Sequence, residues 1–84
     1  MAMKLFGYDA TDGDERTRPR TLREATIVAG ADDLRAIADF LVQCAALMDQ
    51  HGGRFGHEHL SDHLRGRCFD ADLIVVAPAG AAPR

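Results

Sequence analysis

All four histidines of the 84-residue chain lie in one short stretch, residues 51–63. Such a cluster raises the question of a metal site, because imidazole is a common ligand of transition metals. His59 and His63 are four residues apart and would share one face of a short helix. His57 lacks a partner at the spacing of the familiar zinc-protease motif, because position 61 is serine. A metal-binding protein or metal-dependent enzyme that uses His57, His59 and His63 is therefore a secondary hypothesis, and no cofactor is predicted.

The other groups that could do chemistry do not form a catalytic set. Ser61, Asp62 and His63 are neighbours in sequence, but a nucleophilic triad needs side chains that converge in space. Two cysteines, Cys44 and Cys68, are too few for the disulfide framework of a small secreted scaffold, and we expect both to be reduced. The sequence predicts a protein that is not an enzyme.

The same stretch has the features of a binding surface. Gly52, Gly53 and Gly56 allow a tight loop over the end of a helix, with Phe55 as its anchor. The charged side chains that follow would ring a rigid projection, which suits protein recognition better than a reaction centre. The predicted partner-binding residues are Arg54, Phe55, His57, Glu58, His59, Asp62, Arg65 and Arg67.

Composition excludes several classes of partner. Ten Lys and Arg against 13 Asp and Glu give a net charge of −3, whereas binding along a nucleic-acid backbone needs a surplus of basic residues. No apolar run approaches the roughly 20 residues that span a membrane, and no signal-peptide pattern opens the chain. We expect a cytoplasmic protein without nucleic-acid or membrane partners.

Hydrophobic patterns predict the elements that must position the histidine stretch. Residues 3–9 alternate as a strand, and the β-branched run in residues 22–29 indicates a second strand. Residues 72–77 are apolar on both faces, which is typical of a strand in the middle of a sheet. A charged loop, residues 11–20, joins the first two strands, and residues 52–71 form a long irregular connection.

Residues 31–51 form the clearest element, a long helix. Asp32 and Asp33 complement the helix dipole in its first turn, while Gly30 is an acceptable N-cap and Gly52 follows the last residue. Apolar side chains cover more than half of the circumference, which is more than a small sheet needs. The central seam of these side chains, spaced by steps of four and three, consists of Leu34, Ala38, Leu41, Ala45 and Met48.

The predicted fold is α+β with the order β-β-α-β, a three-stranded sheet with the long helix packed on one face. The domain spans residues 1–77, and the tail of small residues, 78–84, is expected to be disordered. Because the helix is apolar round so much of its surface, we predict a symmetric homodimer that buries Phe40, Leu47 or Met48 against a second copy.

Together these pieces resemble one of the small bacterial immunity protein families of polymorphic toxin systems, the family numbered thirty-two. The most specific part of the resemblance is Gly56-His57-Glu58-His59, and it covers nearly the whole folded part. It implies a small α+β protein that binds and neutralises a protein toxin. A structural or regulatory homodimer without a toxin partner is the remaining alternative. The segments that carry the resemblance are residues 4–8, 24–29, 34–41, 51–60 and 72–76.

Overall fold

One long helix and two small β-ribbons make up the part of the chain that the structure describes, which confirms the α+β class. The structure is a computed structural model that describes residues 3–10 and 18–84, so most of the predicted charged loop lies outside the described residues. The elements are β1 (Leu5–Gly7), β2 (Arg20–Leu22), α1 (Ala31–His51), β3 (His57–His59) and β4 (Ile74–Val76), with 3₁₀ turns at Gly52–Phe55 and Leu60–His63.

The described strands form two separate antiparallel pairs, so the predicted three-stranded sheet is wrong. β1 pairs with β2, with Leu5 opposite Leu22. β3 pairs with β4, with His57 opposite Val76. The physical reason is β3, which lies inside the connection predicted to be irregular. Because β3 pairs with β4, β4 does not pair with the amino-terminal strands.

The second strand is also displaced from its predicted position. Only Leu22 of the predicted range 22–29 belongs to β2, and the β-branched run that suggested a strand follows it. Among the described residues, no backbone hydrogen bond is made by residues 25–29, and Val28 is 94% exposed. A β-branched sequence favours a strand only where a neighbouring strand is available to pair with it. We call residues 25–29 the unpaired segment.

The core lies between α1 and the chain that follows it. Its buried side chains in the described part of the chain are Phe40, Cys44, Phe55 and Leu60. Phe40 is 2% exposed within a single chain, so it is a core residue and cannot also be the predicted dimer contact. The partly buried side chains that pack against this cluster are Ile37, Leu47, Met48, Leu64, Phe69, Leu73, Val75 and Ala77.

Helix α1 has the predicted bounds, but a different face of the helix packs against the core. Gly30 has extended backbone at its start, and the Gly52 N–H donates to the Met48 carbonyl at its end. The face through Phe40 and Cys44 meets the core, whereas most of the predicted central seam is exposed. Within the described residues, α1 and the 3₁₀ turns include no helix that is long and apolar enough to cross a membrane. Five of the exposed apolar side chains of α1, here the outer stripe, are Leu34, Ala38, Leu41, Val42 and Ala45.

Residues 52–67, the return segment, run back along α1 towards its amino end. The segment starts with the 3₁₀ turn that directly follows α1. Halfway along, the His63 ring lies 5.2 Å from the Phe40 ring. At the far end, Arg67 pairs with Asp33 in the first turn of α1. The long connection is thus ordered by contacts with the helix.

The tail, residues 78–84, lies against the carboxyl end of α1, where composition suggested disorder. The Gly53 N–H donates to the Ala81 carbonyl at 2.9 Å. Gly52 has φ +56°, and a Cβ at this position would lie 2.6 Å from the backbone nitrogen of Pro83. Only glycine suits both that conformation and that approach. Backbone hydrogen bonds hold the tail, and a tail of small side chains gives no sequence sign of them.

Candidate functional site

The predicted partner-binding residues do not form one surface, because the return segment spreads them along α1. Arg54 lies in the turn at the carboxyl end of the helix, whereas Arg67 reaches Asp33 at the amino end. A helix of 21 residues is about 32 Å long. Asp62 and Arg65 lie with Arg67 beside the amino half of α1. These three of the predicted residues line one cavity.

Phe55 and β3 have mainly structural positions. Phe55 is in the core cluster, so it anchors the turn after α1 and offers little surface to a partner. In β3, Glu58 and His59 are half-buried while His57 is exposed. The rings of His57 and His59 meet edge to face with centroids 5.3 Å apart. Of these predicted residues, His57 is the one that is exposed to solvent.

Two of the histidines pair with carboxylates of the same chain. His59 Nδ1 lies 2.9 Å from Asp72 Oδ2, and His63 Nε2 lies 3.1 Å from Glu58 Oε2. Because His59 is in β3 and His63 is in the following 3₁₀ turn, the helix face that they were predicted to share does not form. In residues 3–10 and 18–84, no group of three or more His, Cys, Asp or Glu side chains is placed to hold a metal ion.

Asp72 joins the return segment to the start of β4. Its carboxylate accepts hydrogen bonds from the Ser61 N–H at 2.9 Å, the Ser61 hydroxyl at 3.0 Å and the Leu73 N–H at 2.9 Å. Burial by itself would raise the pKa of Asp72, but the hydrogen bonds from His59, Ser61 and Leu73 lower it to about 2. Asp72 is therefore ionised at neutral pH. The sequence gives no sign of this role, because Ser61 and His59 lie 11 and 13 residues away.

The two cysteines are free thiols in different environments. Cys44 is buried in the core and Cys68 is exposed. Burial raises the pKa of the Cys44 thiol, and the nearby Glu58 carboxylate raises that pKa further. A buried and protonated thiol is a poor nucleophile, so Cys44 acts as a small apolar core residue.

An open groove of about 590 Å³ separates the amino half of α1 from the far end of the return segment. Two ion pairs involve residues that line it: Arg35 pairs with Asp32 at 2.8 Å within α1, and Arg67 of the return segment pairs with Asp33 of the helix. The Arg67 pair therefore fixes the return segment to the first turn of the helix. The charged side chains that line this cavity, here the charged groove, are Asp32, Arg35, Asp39, Asp62, Arg65 and Arg67.

Three side chains of the charged groove keep their charge unpaired. Asp39, Asp62 and Arg65 make no ion pair or side-chain hydrogen bond with any described residue. Each of them is exposed. The groove thus presents two carboxylates and one guanidinium to whatever approaches it.

No protein-family model, curated protein or solved structure matches this chain.

Proposed function

We propose that this chain is a non-enzymatic binding protein that recognises a protein partner through the charged groove. The observation that carries the proposal is the set of unpaired charges on Asp39, Asp62 and Arg65. Water solvates these groups in the free chain, and a partner with complementary charges would gain attraction and orientation from them. The Arg67–Asp33 pair supports the groove by holding its two walls together.

The shape and charge of the groove favour a protein over other ligands. Small-molecule sites are usually concave and mostly apolar, and they enclose most of the ligand. This groove is open and charged, with carboxylates in excess of guanidinium groups among its unpaired residues. Nucleic acid would need the opposite excess. A protein surface that carries both signs of charge meets these conditions.

The resemblance to bacterial immunity proteins supplies the class of partner, a protein toxin that this chain would neutralise. Its most specific residues, 56–59, include β3, and Glu58 in that strand pairs with His63 of the return segment. The shared motif would therefore build the scaffold of the groove. The unpaired charges around it would select the individual toxin, because charge complementarity contributes strongly to specificity.

The test combines growth rescue with measured affinity. Cells that express a candidate toxin, taken from the genes beside the one for this chain, should grow only when this chain is co-expressed. In calorimetry with the purified toxin, Arg65→Glu and Asp62→Lys should each raise the Kd at least about tenfold, which equals about 1.4 kcal/mol. The reason is that each reversal places a like charge against the partner.

Arg23→Glu is the matched control, because Arg23 is an exposed arginine outside the charged groove. It should leave rescue and affinity unchanged. Absence of both rescue and a complex would overturn the proposed function. A complex that keeps its full affinity in the Arg65→Glu and Asp62→Lys variants would overturn the assignment of the charged groove.

A further inference from the structure

Two exposed apolar features lie next to each other in the chain. The unpaired segment carries the β-branched run Thr26-Ile27-Val28, and its backbone amides and carbonyls have no partner in the described part of the chain. It leads through Gly30 directly into α1, which carries the outer stripe. Val42 in that stripe is 69% exposed. Open backbone groups and exposed apolar side chains thus follow one another directly along the chain.

The accessible surface of the whole chain is larger than that of a compact chain of the same mass. The accessible surface is 7357 Å², whereas a compact monomer of 9.1 kDa exposes about 4,900 Å². The radius of gyration, 13.9 Å, likewise exceeds the roughly 12 Å of a compact chain of this length. An obligate dimer buries roughly 1,000 to 2,500 Å² from each chain. The excess of about 2,500 Å² belongs to the whole chain, and it is as large as the area that such a dimer buries.

We infer that the partner on this surface is a second copy of the same chain. The unpaired segment would pair with its own copy as antiparallel strands across a two-fold axis, and the outer stripes of the two α1 helices would pack together. No charged residue lies between Glu24 and Asp32, so this pairing sets no like charges opposite each other. The unpaired segment itself carries no charge for a charged protein partner to complement, in contrast to the charged groove.

This interface replaces the one predicted from sequence. Phe40 is buried in its own chain, and Leu47 and Met48 pack against the same core. The apolar surplus that suggested a dimer is real, but it lies on the other side of α1. The inference does not depend on a toxin partner, and Asp62→Lys in the charged groove should leave the dimer intact.

The first experiment is sedimentation equilibrium of the full chain from 1 to 100 μM. Wild type should have twice the mass of a single 9.1 kDa chain. Val42→Lys should raise the dimer Kd by at least tenfold, because it places a charge and its copy in an apolar interface. Val76→Lys is the matched control, since Val76 is a valine of similar exposure, 65%, in β4 outside the surface. It should leave the Kd unchanged.

Hydrogen exchange supplies a second readout that needs no variant. The dimer should slow exchange at alternate amides of the unpaired segment at least tenfold, and only at concentrations where the dimer is populated. Three results would overturn the inference: a single-chain mass at 100 μM, equal effects of Val42→Lys and Val76→Lys, or a dimer whose unpaired segment exchanges as fast as an unfolded chain.

Discussion

At the scale of single residues, carboxylates of the same chain determine the contacts that two of the histidines make. Four imidazoles in a short stretch suggested metal ligands, but Asp72 and Glu58 pair with two of them. The type of each side chain could be predicted from the sequence, whereas its partner could not. Asp72 is 13 residues from His59, and only the pairing of β3 with β4 brings the two together.

Asp72→Asn should lower the free energy of unfolding at pH 7 and should make this free energy depend less on pH in the acid range. The folded pKa of Asp72 is lowered to about 2 from an ordinary 3.8, so its contribution to stability is present above about pH 4 and is lost as the pH falls towards 2. Loss of these charged hydrogen bonds should cost about 1 to 3 kcal/mol at pH 7, towards the lower value because the side chain is one-third exposed. Urea unfolding at pH 7, 5, 3 and 2 measures both effects.

The control for this prediction is Asp70→Asn, which removes an exposed carboxylate two residues away. It should change the free energy of unfolding by less than about 0.5 kcal/mol. If Asp70→Asn and Asp72→Asn behaved alike at every pH, Asp72 would have no special role in joining β4 to the return segment.

At the scale of elements, the ends of α1 were predictable and its rotation was not. Cap residues and first-turn charges are local signals, and they gave Ala31–His51 correctly. The side that faces the core depends on what packs against it. Both Phe40 and Leu41 lie among apolar neighbours, so the periodicity alone could not show that only Phe40 is buried. The ambiguity came from an apolar surface wider than one stripe.

The strands differed from prediction because pairing is not local. Residues 22–29 have the composition of a strand, but only Leu22 has a pairing partner. His57-Glu58-His59 has a polar composition, but it pairs in register with Ile74-Val75-Val76. The three residues of β3 are too few to give a clear alternation, since Glu58 and His59 are both half-buried. Strand propensity indicates fit to a sheet whose other members must be known.

Phe40→Ala should remove about 3 to 5 kcal/mol of stability or abolish cooperative unfolding, because it leaves a cavity at the centre of the core. Phe6→Ala is the matched control. Phe6 is a 58% exposed phenylalanine in β1, and its truncation should cost less than about 1 kcal/mol. Chemical denaturation followed by circular dichroism compares the two. Similar costs would contradict the orientation of α1 described above.

At the scale of the whole molecule, the core is small for the chain that surrounds it. The members of the core cluster in the described chain fall between residues 37 and 77. Single domains of this size bury little apolar surface and often need association for stability. The proposed dimer would therefore contribute to folding itself.

The melting temperature should rise with chain concentration if folding and association are coupled. For a dimer of this size we expect the melting temperature to rise by about 3 to 5 °C for each tenfold increase in chain concentration. Val42→Lys should remove this dependence, whereas Val76→Lys should retain it. Differential scanning calorimetry from 10 μM to 1 mM measures the shift. A melting temperature that stays constant over this range would show that the monomer folds alone.

The antiparallel course of the return segment also determines the order in which contacts can close. The turn after α1 needs almost no loop, the contact of His63 with Phe40 closes a longer one, and the pair of Arg67 with Asp33 spans 34 residues. The entropic cost of closing the loop rises at each step. The contacts should therefore form in order, starting from the carboxyl end of α1. The last part to close is the charged groove. We therefore expect the charged groove to open locally before the rest of the chain unfolds. The width of the groove can then adjust to an approaching molecule while the core remains folded.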